Sequence, residues 1–409
     1  MNDFQPVQTT VPFDVPIAAY IHIPFCRRRC FYCDFPISVV GDKPPTGEAF
    51  GAIAEYLPNL CTEIRSTPPQ GQVLQTVFFG GGTPSLLTAA QLRQILETLQ
   101  DHLGIAADAE ISMEIDPGTF TLAQLKGYRA AGINRVSLGA QAFQANILQA
   151  CGRTHCPEDI LAAVDLIHQV NLPNYSLDLI SGLPHLTMNH WQDSLEKAIA
   201  LSPTHLSVYD LTLEPGTSFD RWFQPGADPL PSEAATADMY RVAQQTLTAA
   251  GYEHYEISNY AQPGHACRHN QVYWENRSYY GFGMAAASYI AGQRFTRPRK
   301  RREYFEWVKE LQDRGMGAIA CPPVTLEERL LDTLMLGLRL SQGLHLETLT
   351  QTFGTTVISQ VLETLQPYIQ KGWVAPPSQH SPRLKLQDPE GFLFSNVILS
   401  TLFSESATA

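Results

Sequence analysis

The chain has 409 residues, of which 44% are hydrophobic and 17% charged, and a formal net charge of −12. That length exceeds one ordinary core and leads us to expect two domains. The acidic balance argues against a broad nucleic-acid surface, because like charge repels phosphate. The opening stretch "MNDFQPVQTTVPFDVP" shows neither a basic n-region nor an apolar h-region. No apolar run reaches the roughly 18 residues of a membrane span. Eight cysteines in so long a chain do not read as a disulfide framework, so a reducing cytoplasmic setting is expected.

After a tail over 1–16, residues 17 to 250 repeat one rhythm: a short β-branched or aromatic run, a turn, then an amphipathic helix. The predicted strands are "IAAYIHI", "LQTVFFG", "EISMEID", "NRVSLGA", "YSLDLIS" and "HLSVYDL". Between them lie helices such as "TAAQLRQILETLQ", "CPEDILAAVDLIHQV" and "HWQDSLEKAIAL", with apolar residues at three- and four-residue spacing. Six βα units in series imply a parallel sheet, open or closed into an incomplete (βα)6 TIM-like barrel, with its chemistry at the carboxyl ends of the strands. Residues 251–302 are aromatic, polar and turn-rich and are expected to form a connecting lobe. From 303 to 409 come helices, then two short strand-like pieces around the turn "DPEG", which suggest a winged-helix-like C-terminal domain. The basic run Arg297, Arg299, Lys300, Arg301 and Arg302 is expected as solvated surface. Its functional alternatives are anionic side groups of a ligand or an acidic membrane face.

The loop after the first strand, "CRRRCFYC", holds Cys26, Cys30 and Cys33 in a Cys-x3-Cys-x2-Cys spacing, with Phe35 where a fourth thiol might stand. Thiolates so placed bind a soft metal. A structural zinc site closes its tetrahedron with a fourth Cys or His, and neither is at hand here. A 4Fe–4S cluster usually takes four cysteines, so three leave one iron open to an outside ligand. An amino acid with a free amine and carboxylate suits that iron, and S-adenosylmethionine (SAM) offers both. The arginines Arg27, Arg28 and Arg29 inside the loop would favour thiolates and a bound carboxylate. In "FFGGGTPSLL" the consecutive glycines let backbone approach a ligand closely.

A cysteine triad of this spacing, behind the first strand of a βα series, resembles the radical SAM superfamily. The motifs "YIHIPFC", "CDF", "GGGTPSLL", "RVSLGAQAF", "SVYDLTLEPGT", "YEISNYA" and "RHNQVYW" occur in the order seen in the family of anaerobic coproporphyrinogen III oxidase and HemW-type haem chaperones. The resemblance spans roughly 17 to 405. It implies a 4Fe–4S cluster on Cys26, Cys30 and Cys33. It also implies SAM contacts from Tyr20, Tyr32, Gly81, Gly82, Thr83, Glu114, Gln141, Arg153, Asp178 and Thr212. The oxidase branch carries another cysteine two residues after the third, where this chain has Phe35, and a longer N-terminal extension. Both departures point to the haem-chaperone branch, as does the HN-x-x-YW pattern in "RHNQVYW". Leu186 in "GLPHLT" departs from that branch's usual Gln.

The resemblance thus implies a cytoplasmic protein with cluster and SAM that binds haem and delivers it to acceptor haemoproteins, respiratory ones among them. Its rival is oxygen-independent oxidation of coproporphyrinogen III. His269, among Asn270, Tyr273 and Trp274, stands either as haem ligand or as a hydrogen-bonded structural residue, with Cys267 a second candidate. A homodimer and a peripheral membrane contact are further expectations, and SAM enters either as a cleaved cosubstrate or as a structural ligand.

Overall fold

The computed structural model describes residues 15–41, 48–314, 324–378 and 381–406. Strands β1 (Ala18–Ile23), β2 (Leu74–Gly81), β3 (Ile105–Ile115), β4 (Arg135–Gln141), β5 (Tyr175–Ser181) and β6 (His205–Asp210) pair in that order, every junction parallel. These are the six strands read from the sequence, with ends shifted by a few residues. Local chemistry marks the intervening helices as expected. Helix α1 (Ala89–His102) begins with a capping box, Thr88 accepting from the Gln91 amide while Gln91 accepts from the Thr88 amide. A box at Thr121 and Gln124 opens Leu122–Ala131 in the same way.

Alternation along the strands divides the sheet into two chemically different faces. Ile21, Val77, Phe79, Met113, Leu138, Leu177, Leu179 and Leu206 are fully buried beneath the helices. The opposite face, the inside of the partial barrel, carries Tyr20, Thr76, Glu110, Ser112, Glu114, Arg135, Ser137, Ser176, Asp178, His205 and Ser207, brought side by side by the strand register. A polar interior suits a ligand, since buried polar groups demand partners.

The segment expected as a separate connecting lobe lends strands to this same sheet. β7 (Glu253–Glu256) and β8 (Asn259–Ala261) pair antiparallel with each other, and β8 pairs antiparallel with β6. β9 (Tyr280–Phe282) runs parallel to β1 on the other edge. A hairpin, β10 (Ala287–Ile290) and β11 (Gln293–Thr296), follows. Within the basic run, Arg297 is not surface. It is 3% exposed, bonded to Glu63 at 2.7 Å and set over the Phe295 ring. Lys300 and Arg302 do lie on the surface, in exposed pairs with Glu303 and Glu306.

The C-terminal domain has its own apolar core, including Leu334, Leu338, Leu349, Leu365, Leu384, Phe392 and Ile398. A small antiparallel sheet joins Leu344–His345, Arg383–Leu386 and Val374–Ala375. The strand expected after "DPEG" is a helix instead, Glu390–Leu393 followed by Ser395–Ser406. Its apolar residues Ile398, Leu399 and Leu402 recur at helical spacing and complete the second core. Arg241 holds Glu390 at 2.7 Å, and Gln244 and His254 both meet Asp388 at 3.0 Å, tying this domain to the barrel.

Candidate functional site

Immediately after β1 the chain forms a short parallel ladder, Phe25–Cys26 with Ser38–Val39, and the intervening loop presents all three cysteines, each half-buried. The loop's shape is held by side chains rather than by regular structure. Arg29 donates to the carbonyls of Cys33 at 3.1 Å, Phe35 at 2.9 Å and Ile37 at 3.4 Å. His22 Nε2 donates to the Pro36 carbonyl at 3.2 Å, and its Nδ1 accepts from the Tyr20 hydroxyl at 2.9 Å. Burial lowers His22 to about 4, so the ring stays neutral and keeps this tautomer. Phe31 anchors the far side, its amide donating to Cys151 O and its carbonyl accepting from the Phe219 amide, each at 3.0 Å. Arg29 and His22 are therefore loop-shaping residues, a role the motif spacing did not reveal.

A cavity of about 390 Å³ opens at the carboxyl ends of the strands. Cys26, Cys30, Tyr32, Cys33, Gly81, Gly82, Thr83, Glu114, Gln141, Arg153 and Asp178 all line it. Two residues expected there, Tyr20 and Thr212, do not. Tyr20 lies deeper in the barrel, beneath Gly80 and stacked on Phe78. Thr212 is exposed on the loop after β6, and His269, the candidate haem ligand, is buried away from this cavity. Asp116, from the "DPGT" turn, lines the cavity although its sequence motif marks no ligand. It accepts from Thr83 Oγ1 at 3.1 Å and from Arg153 Nη2 at 2.5 Å, while Arg153 Nη1 faces the Cys30 sulfur at 3.5 Å. Its signal was its position, the last residue of the third predicted strand and one beyond the observed β3.

Backbone approach is the reason for the glycines. A Cβ on Gly81, where φ is 108°, would stand 2.4 Å from the His22 ring. On Gly82 it would meet the carbonyl oxygens of Phe25 and Ile23 at 2.7 and 2.8 Å, backbone atoms that cannot swing aside. Gly82→Val should therefore push the cysteine loop away from β2. We expect SAM to lose its effect on the reduced cluster's EPR spectrum in that variant, with iron content reduced as well. An unchanged SAM-dependent spectrum would refute the close-approach argument. Gln141 also holds a strained backbone, φ 67° without being glycine, beside an irregularity in the β4–β5 pairing. Such strain clusters where a side chain is aimed at a ligand.

Electrostatically the pocket asks for cations. Burial pushes the Cys26 thiol up to about 12, only partly offset by the Thr83 hydroxyl, and burial likewise raises Cys33. Burial first, and then the neighbouring Asp178, raise Glu114 to about 8, against the pull of the Gly81 amide it accepts from at 3.0 Å. Asp178 is raised by burial while Ser137 and Ser176 donate to it. An iron centre would reverse the cost at the thiols, since a coordinated thiol is deprotonated outright. A cationic ligand over Glu114 and Asp178 would do the same for the carboxylates. Among the described residues no three His, Cys, Asp or Glu converge tightly enough for a single metal ion. Three half-buried thiols on one loop, a glycine cradle and two half-buried carboxylates fit a cluster with an amino-acid cofactor.

His269 sits on helix α2 (Arg268–Trp274), which packs into the amino-terminal end of the barrel interior. Its Nδ1 pairs with the Thr76 hydroxyl at 2.8 Å, its Nε2 with the Tyr273 hydroxyl at 2.9 Å, and its ring stacks on Phe78. Burial lowers it to about 3. A haem ligand needs a free ring nitrogen, and in this arrangement both are taken. Cys267 is fully buried, its thiol pushed up to about 12 by that burial, and it donates to Glu110. The "RHNQ" stretch thus acts as a polar plug, with Glu110 accepting from the amides of Arg268 and His269 at 3.1 Å.

A six-stranded parallel partial barrel with this loop and cradle at its carboxyl end defines a radical SAM protein. Residues 20–198 match the Radical SAM superfamily, and residues 324–380 match the HemN C-terminal domain. The chain belongs to the HemW family. It is 50% identical to the heme chaperone HemW of Synechocystis sp., over 95% of this chain and 97% of that protein. It is 34% identical to the heme chaperone HemW of Bacillus subtilis, over 87% and 92% respectively. In fold it is similar to the coproporphyrinogen III oxidase HemN from Escherichia coli, a radical SAM enzyme, with a TM-score of 0.79 at 23% identity, covering 95% of this chain and 90% of that one. No helix among the described residues is long and apolar enough to cross a membrane.

Proposed function

We propose that the protein is a haem chaperone, binding haem and passing it to acceptor apo-haemoproteins, with a 4Fe–4S cluster and SAM held in the barrel. The observation that carries this reading is the similarity to proteins named heme chaperones along nearly the full length of both chains, C-terminal domain included. Cys26, Cys30 and Cys33 hold the cluster. The Gly81–Gly82 backbone and Thr83 border SAM, Glu114 and Asp178 face its cationic groups, and Arg153 spans Asp116 and the Cys30 sulfur. When bound and reduced, such a cluster supplies the electron that can cleave the SAM sulfonium. The protein's own contribution is to fix the loop, exclude water and hold charge.

Phe35 argues against the oxidase. It lies on the pocket lining, 52% exposed, where the oxidase branch has a further thiol. A cytoplasmic location and respiratory acceptors accord with the resemblance and remain part of the proposal. The test is anaerobic incubation of reconstituted protein with coproporphyrinogen III, SAM and reductant, beside a haem titration and transfer to an apo-haemoprotein. We expect stoichiometric haem binding and transfer, and no tetrapyrrole with two new vinyl groups. Catalytic formation of that product would restore the oxidase reading.

A further inference from the structure

A second cavity, of about 460 Å³, lies at the seam between the end of α2 and the C-terminal domain. Its size falls within the roughly 300–1,000 Å³ of small-molecule sites. Trp274, Arg277 and Tyr289 form one side, and Arg329, His345 and Phe353 the other. It shares no lining residue with the cluster pocket. We propose that this cavity is the haem site, with His345 as axial ligand to the iron and Arg277 and Arg329 facing the propionates. This inference rests on the haem-binding reading above.

The chemistry of a haem sorts onto these walls. Its flat macrocycle needs apolar and aromatic cover, which Trp274, Tyr289 and Phe353 supply from opposite domains. Its carboxylates need cations, and guanidinium groups pair with carboxylates in two-pronged fashion. Its iron needs an imidazole with a free ring nitrogen. His345 meets that need where His269 does not. It is half-buried, and no hydrogen bond or ion pair engages its ring among the described residues. Its backbone is fixed by pairing with Arg383 and by standing at the N-cap of Leu346–Phe353, so the ring hangs from a rigid support. The Trp274 indole N–H is buried with no acceptor among the described residues, a donor that a ligand carboxylate can satisfy. The HN-x-x-YW helix then serves haem from its tryptophan end, while its histidine end plugs the barrel.

The separation of the two cavities has a consequence. A haem at the domain seam is cargo held apart from the barrel cavity, with which the seam shares no lining residue.

The test is a haem titration of the full-length reconstituted protein, read by the Soret band, against three variants. We expect His345→Ala to move the Soret band and weaken affinity at least tenfold. Thr348→Trp, which fills the cavity from an exposed lining position, should weaken affinity without altering any ligand. Both should retain iron–sulfur content and the SAM-dependent EPR change. His269→Ala should leave the Soret position unchanged. If the wild-type protein takes up haem while His345→Ala and Thr348→Trp match it in spectrum and affinity, this cavity is refuted and the chaperone reading stands. A Soret shift in His269→Ala alone would also refute it, by returning the ligand to α2. No haem uptake by the wild-type protein would overturn both readings.

Discussion

Alanine in place of Cys26, Cys30 and Cys33 together should abolish the iron–sulfur chromophore while the barrel remains folded. Wild-type protein reconstituted under anaerobic conditions should hold about four irons and four sulfides per chain, with broad absorbance near roughly 400 nm. The variant should hold none. Folding should survive because the loop is tied down by bonds that do not involve the sulfurs: Arg29 to three carbonyls, His22 to Pro36, and Phe31 to Cys151. Removing half-buried thiols, of which burial keeps Cys26 and Cys33 protonated and uncharged, should barely change apo-protein stability. Stoichiometric zinc in a colourless wild-type preparation would sink the cluster assignment, and so would a coloured triple variant.

Loss of the Glu63 carboxylate should strongly destabilise the barrel. Glu63, on the helix Glu48–Ser66, has no solvent exposure and accepts from Arg297 Nε at 2.7 Å, the Gly283 amide at 2.8 Å and the Tyr304 hydroxyl at 2.6 Å. Glu63→Ala leaves a guanidinium buried without its counter-ion, an arrangement that typically costs about 3–5 kcal/mol. It also orphans a backbone amide beside β9, the strand that extends the sheet past β1. Urea unfolding of the apo protein should show the full loss. Glu63→Gln, which keeps an acceptor for Gly283 but not the charge, should show an intermediate one. A loss below about 1 kcal/mol in the alanine variant would mean that water reaches Arg297, contrary to its burial.

Much of the site was legible because parallel βα folds gather their loops at one end by rule. Once six strands are recognised, the residues just past each strand must share one rim. Eleven of the thirteen residues expected at the cluster and SAM line the pocket for that reason. Two do not: Tyr20 lies within β1 and Thr212 on the loop past β6, because depth along the strand and loop direction decide whether a side chain reaches the rim. His269 looked available because imidazole so often binds metal, and only the packing of α2 against β2 shows Thr76 and Tyr273 holding both nitrogens.

The sequence by itself determined the strand order, the polar and apolar faces and the cysteine loop, because alternation, glycine placement and capping residues act over a few neighbours. It also pointed to the family, since motif order is a property of the chain alone. Tertiary structure decided what depends on distant partners. Arg297 reads as part of a basic surface run until Glu63, more than two hundred residues earlier, takes it inside. The residues after "DPEG" read as strand until the second core shows them to be the helical face that completes it. His345 carries no motif at all, and it became a candidate ligand only when folding set it opposite Trp274. Short-range patterning is written in neighbouring residues, whereas burial and charge pairing are fixed by whichever segments the fold brings together.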